Sequence, residues 1–153
     1  MNSGNHTENA TYTEILTQTD AWQEAVEVVA EHREELAARW QEKEYAGVVF
    51  TGCGSTYYLS LAAAALFQRL TERPAMGIPG GELMMNPGIA YRCNGPTLLV
   101  AISRSAETTE TVTAVESFLD RDHGDVITVT TRDDRPLPAG EVGKTGVAID
   151  SLD

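Results

Sequence analysis

Basic residues are scarce in this chain. Its 153 residues include 11 lysines and arginines against 23 aspartates and glutamates, a formal net charge of −12. Binding of nucleic acid irrespective of sequence relies on basic side chains that neutralise backbone phosphates, so this composition excludes that class. Any anion must instead be gripped locally. Long apolar runs are missing too: none approaches the roughly 20 residues of a membrane helix, and no membrane partner is expected. The first eleven residues lack a basic region followed by an apolar stretch, so no secretory signal is read and a cytoplasmic location is expected. Only two cysteines occur, Cys53 and Cys93. Neither has metal-type His/Cys spacing, and in a reducing compartment both read as free thiols. The three histidines, His6, His32 and His123, fall in the N-terminal tail, on a charged helix and in an acidic loop, so none is an obvious general base. No metal or cofactor is expected.

The length suits one domain with a continuous core. Residues 1–11 are polar and aperiodic and read as a disordered lead-in. Over 12–44, Ile15, Leu16, Trp22, Ala25, Val26, Val29, Leu36 and Trp40 recur at helical spacing. This predicts two helices, one short and one long, with Asp20 as N-cap of the longer. The acidic stretches 24–44 and 120–134 fit solvated faces or adaptation to salt.

From residue 45 the pattern changes. Residues 47–51 form a continuous β-branched run, as in strands buried on both faces. A glycine turn follows, and then an Ala-rich helix over 57–70. The same order recurs with a strand at 97–102, a polar loop and a helix at 108–119, and again with a strand at 126–130. Shorter strands are expected at 75–78 and 146–149. Such alternation predicts an α/β fold: three layers, α/β/α, around a mostly parallel sheet of about five strands, with right-handed crossovers and an N-terminal helical segment.

Two loops carry the functional signal, because in an open parallel sheet ligands bind outside the carboxyl ends of the strands. After the first strand, Gly52-Cys53-Gly54-Ser55-Thr56 gives a permissive backbone and two hydroxyls at a helix start, where amides and the helix dipole favour an anion. After the 97–102 strand, Ser103, Ser105 and Thr108 supply three hydroxyls within six residues, Thr108 at or near an N-cap. Arg104 is the one candidate positive charge. Each loop alone also fits a structural turn or helix cap; the pairing at equivalent strand ends favours an anion site. A dinucleotide fingerprint would need a glycine where Tyr57 stands, and no Gly-Lys-Ser/Thr follows the turn. Cys53 reads as a small buried thiol rather than a nucleophile.

The segment Thr51-Gly52-Cys53-Gly54-Ser55-Thr56-Tyr57 resembles the first phosphosugar loop of the sugar isomerase (SIS) domain family, whose fold is flavodoxin-like. Ser103-Arg104-Ser105-Ala106-Glu107-Thr108 resembles the second, which usually has glycine where Ala106 stands. Within the family the resemblance is to the AgaS-like ketose/aldose isomerases and to the isomerase half of glucosamine-6-phosphate synthase. Their entry helix is similar to the segment from Tyr12 to Gln18, usually continuing with proline where Thr19 stands.

The resemblance implies a hexose or hexosamine 6-phosphate ligand lined by Gly54, Ser55, Thr56, Ser103, Arg104, Ser105 and Thr108. It implies a homodimer, with Trp22 and Trp40 serving either there or in the core. It also implies that residues 45–153 are the first of two lobes in a longer protein, with the catalytic glutamate, histidine and lysine beyond the matched segment. Isomerisation through an enediol needs a carboxylate near C1 and C2. The carboxylates nearest the loops are Glu107 and Glu82, but each reads more simply as a first-turn residue complementing a helix dipole. A regulatory domain that senses a phosphosugar without catalysis is the alternative.

Overall fold

A computed structural model describes residues 10–91, 95–122 and 124–131. The order is α1 (Ala10–Leu16), α2 (Gln18–Glu31), α3 (Arg33–Glu42), β1 (Gly47–Gly52), α4 (Ser55–Thr71), β2 (Ala75–Pro79), α5 (Gly80–Met85), a 3-10 turn (Pro87–Tyr91), β3 (Thr97–Ile102), α6 (Thr109–Leu119) and β4 (Gly124–Val129). Among the described residues the sheet has four strands in the order β2-β1-β3-β4, every pair parallel. The further strand expected at 146–149, and Cys93, His6 and His123, lie outside the described residues.

Strand alternation sorts the core into two layers. Val49, Leu99, Ala101 and Val126 face Leu83 of α5 and Ala114, Val115 and Phe118 of α6. Val48, Leu98 and Val100 face the other way, where Trp40 of α3 and Phe67 of α4 pack. The result is the three-layer α/β/α arrangement. Trp40 stacks on Tyr45 at 5.3 Å and meets Phe67 edge-on at 5.6 Å.

At the amino-terminal edge of the sheet, the Asp125 carboxylate accepts from the Lys43 ammonium at 2.7 Å and from the Tyr45 hydroxyl. Burial alone would raise the Asp125 carboxyl, but these two donors outweigh it and hold it below its ordinary range. Tyr45 is pushed well above the usual phenol range, first by burial and then by donating to that carboxylate. The clamp joins the α3–β1 connection to β4, at the end of the sheet remote from the two loops.

The N-terminal region departs from expectation in three ways. Its helix begins at Ala10, two residues early. The long helix is broken at His32, whose Nδ1 donates to the Val28 carbonyl at 2.9 Å and so competes with the backbone ladder. Asp20 is not the N-cap: that position belongs to Thr17, whose hydroxyl donates to the Thr13 carbonyl at 3.1 Å, and Asp20 stands in the first turn of α2. There a carboxylate complements the helix dipole instead. Trp40 is core, whereas Trp22 is 61% exposed.

Candidate functional site

The chain leaves β1 toward β2 on one side and returns to lay β3 on the other, so β1 and β3 are the neighbours at which the strand order reverses. Their following loops feed helices on opposite faces, α4 on one and α6 on the other. A crevice opens between them at the carboxyl ends.

Gly52 sets how closely the two sides approach. A methyl there would stand 2.6 Å from Thr56 Oγ1 and 2.9 Å from the Ile102 carbonyl oxygen. Gly54 has φ of 58° and ψ of −122°, a backbone conformation that side chains oppose, though open space surrounds it. The Thr56 hydroxyl closes the turn, donating to the Cys53 carbonyl at 2.9 Å and accepting from the Cys53 amide at 3.0 Å. Ser55 is exposed at the first position of α4, beside first-turn amides that have no partner within a helix. Cys53 is a free, half-buried thiol that accepts from the Thr111 hydroxyl at 3.6 Å. A methyl at Gly80 would meet its sulfur at 2.7 Å, so the exit of β2 and the start of α6 also converge on this turn.

In the second loop the Ser103 amide donates to the Val129 carbonyl at 3.0 Å, extending the ladder by one bond. Its hydroxyl is different: the residue is 3% exposed, and Ser103 Oγ has no hydrogen-bond partner among the described residues. The Ser105 hydroxyl accepts from the Glu107 amide at 3.3 Å. Thr108 occupies the N-cap of α6 in an extended conformation, yet its hydroxyl makes no capping bond. The Arg104 carbonyl accepts from Thr130 at 3.4 Å and from Thr131 at 2.8 Å, tying the loop to the end of β4.

A cavity of about 440 Å³ brings Ser55, Thr56 and the exposed Arg104 together under Ala25 and Val29 of α2. Ser103, Ser105 and Thr108 follow the loop toward α6 instead and do not line it. Glu82 is exposed in the first turn of α5 and Glu107 is exposed in the loop; neither walls the cavity. A second orphaned buried hydroxyl among the described residues lies outside both loops. Thr128 Oγ1 on β4 is likewise without a partner among the described residues. The signal available for it was a threonine on the face where Val126 is core.

Fold and loops together define an open, doubly wound α/β domain with hydroxyl-rich loops at its switch point. The SIS domain profile matches residues 45–141, and the chain belongs to that family. Over 69 residues it is 35% identical to the glutamine–fructose-6-phosphate aminotransferase (isomerizing) of Helicobacter pylori, covering 45% of this chain and 11% of that protein. The tagatose-6-phosphate ketose/aldose isomerase of Escherichia coli superposes with a TM-score of 0.84 at 21% identity, over 99% of this chain and 42% of that one. The Vibrio vulnificus NanR protein complexed with ManNAc-6P superposes with a TM-score of 0.69 at 16% identity, over 96% of this chain and 52% of that one. This chain therefore spans about half or less of each of these proteins. Among the described residues, no helix is long and apolar enough to cross a membrane, and no cluster of His, Cys, Asp and Glu is arranged to hold a metal ion.

Proposed function

We propose that this domain binds a hexose or hexosamine 6-phosphate and serves as the phosphate-gripping lobe of a cytoplasmic, homodimeric ketose/aldose or aminosugar phosphate isomerase. The observation that carries the reading is the Ser103 hydroxyl, buried without a partner beside the crevice at the switch point. A desolvated hydroxyl is costly unless a ligand oxygen accepts from it. Ser105 and Thr108, Ser55 with the first-turn amides of α4, and Arg104 complete the grip, while Thr56 holds the first turn in shape. The three relatives described above, all named for sugar 6-phosphates or bound to one, support the ligand class.

In this reading the domain anchors the phosphate so that C1 and C2 lie at a fixed reach from it. The carboxylate that moves the proton between them comes from outside the described residues. Glu82 and Glu107 are both exposed and away from the cavity wall: Glu82 serves the dipole of α5 from its first turn, whereas Glu107, contrary to expectation, precedes the Thr108 N-cap and lies outside α6, whose first-turn carboxylate is Glu110. That same placement favours a second reading, a regulatory domain that senses the phosphosugar without turning it over.

Calorimetric titration with glucose 6-phosphate, glucosamine 6-phosphate and the free sugars tests the shared premise. The esters are expected to bind and the free sugars not. Replacing Ser103 and Ser105 together by alanine is expected to weaken ester binding by roughly tenfold or more. Equal binding of free sugar and ester, or an unchanged affinity in the double variant, refutes the phosphate grip. Turnover of fructose 6-phosphate to the aldose ester separates the two readings.

A further inference from the structure

Among the described residues two buried hydroxyls go unanswered, and they lie diagonally across the β3–β4 register. Ser103 Oγ and Thr128 Oγ1 are the buried side-chain polar atoms without a hydrogen-bond partner among the described residues, and each residue is 3% exposed. Thr128 pairs with Ala101 in the β3–β4 register, and the Ser103 amide bonds the Val129 carbonyl just beyond it. Alternation puts Thr128 on the face of Val126 and Ser103 on the face of Ala101, which is the same face, turned toward α6. From strand spacing and rise, their backbones stand about 8 Å apart on the diagonal. Side chains on one face of a sheet project the same way, so at that backbone spacing a single oxygen can accept from both hydroxyls.

Among the described residues, neither hydroxyl has a protein partner. The same face offers Ala101, Ala106, Ala114 and Val126, all buried and apolar at the side chain. The hydroxyls of Thr130, Thr131 and Thr111 spend their protons elsewhere, Thr130 and Thr131 on the Arg104 carbonyl and Thr111 on Cys53 Sγ, so none of them donates to either orphan. A hydroxyl left unpaired in such a place costs about 1–3 kcal/mol. Two adjacent ones, one of them in the loop already assigned to the phosphate, are the mark of a seat for an incoming acceptor.

We propose that Thr128 is a further ligand-binding residue of this domain, and that with Ser103 it forms a two-hydroxyl seat for one oxygen at the base of the bound phosphate ester. This rests on the phosphosugar reading and adds to it a residue from β4, a strand outside the two loops. The oxygen seated there belongs to the phosphate group or to a water that the phosphate orders. In either case the seat is filled when the ester binds and its cost is borne by the free protein.

The test is Thr128→Val, which keeps the shape and removes the hydroxyl, measured on the full chain with inorganic phosphate and glucose 6-phosphate. The free variant is expected to melt roughly 2–4 °C above wild type, because an unpaired buried hydroxyl has gone. Its affinity for both ligands is expected to fall by roughly tenfold. Equal loss for both ligands assigns the seated oxygen to the phosphate group; loss confined to the sugar ester assigns it to a water ordered by the whole ligand. Unchanged affinity while wild type binds overturns the seat and leaves the phosphate reading standing. A variant that melts lower than wild type with unchanged affinity shows the hydroxyl to be internally bonded, and also overturns it. If wild type binds neither ligand, both proposals fail together. Thr128→Ser restores the hydroxyl and is expected to recover most of the affinity.

Discussion

Ala106 holds φ at 54°, a left-handed backbone, while its methyl is 1% exposed within the α6-side core. Two effects oppose each other there. The left-handed conformation costs an L-residue about 1–2 kcal/mol. Against that, the buried methyl contributes about 0.8 kcal/mol and alanine narrows the unfolded ensemble by about 0.4–1 kcal/mol relative to glycine. The sums are close, so Ala106→Gly is expected to change unfolding free energy in urea by less than about 1 kcal/mol. Ala106→Val, β-branched in the same conformation, is expected to cost about 2 kcal/mol or more. A loss of that size in the glycine variant would mean that the methyl matters more than the strain. Residue identities at the loops were legible because hydroxyls and glycines cluster where strands end. Their roles were less so: Thr56 and Ser55 are adjacent in sequence, yet the Thr56 hydroxyl is spent on the Cys53 backbone while Ser55 stands exposed. Only coordinates separate a turn-closing hydroxyl from an open one.

Among elements, β3 was legible to the residue, because a strand buried on both faces reads as an unbroken apolar run. β4 begins two residues before its apolar run. It opens with Gly124 and Asp125, the first pressed so close to β3 that a methyl would sit 1.8 Å from the Thr97 carbonyl, the second polar because it answers Lys43 and Tyr45. Neither reason appears in an apolar pattern. The Asp125 clamp has a pH signature. Its folded carboxyl is held below the ordinary value near 3.8, so its contribution is present above that value and lost as pH falls through the lower, folded one. Asp125→Asn is expected to lower stability at pH 7 by about 1 kcal/mol, a modest figure because solvent screens the half-exposed pair. The gap between variant and wild type should close in thermal melts below about pH 4. A gap constant from pH 7 to pH 3 would show that the carboxylate charge is not what the clamp uses. The N-terminal helices were legible as helices but not in their burial, since α2 and α3 bury none of their residues fully.

On the scale of the whole molecule, that missing burial leaves Tyr12, Ile15, Leu16, Trp22 and Val26 mostly exposed on α1 and α2, in a chain whose net charge of −12 opposes self-association. Apolar side chains gathered on neighbouring helices are what an interface supplies. The proposed homodimer predicts that wild type sediments as a dimer at micromolar concentration and that Trp22→Glu with Val26→Glu sediments as a monomer. Because both side chains are exposed, the double variant should keep its melting temperature within a few degrees apart from the coupling between assembly and stability. A monomeric wild type counts against the dimer.

The contact at Gly52 bears on how such a domain changes its ligand. A side chain there would press on the first turn of α4 and on the last carbonyl of β3 at once, and both of those neighbours include main-chain atoms. The gap between the two loops is thus a backbone dimension, out of reach of ordinary side-chain substitution. New preferences must be written on the walls of the crevice while its gauge stays constant, so the proposed grip, sized for one phosphate ester, would be sized for all of them.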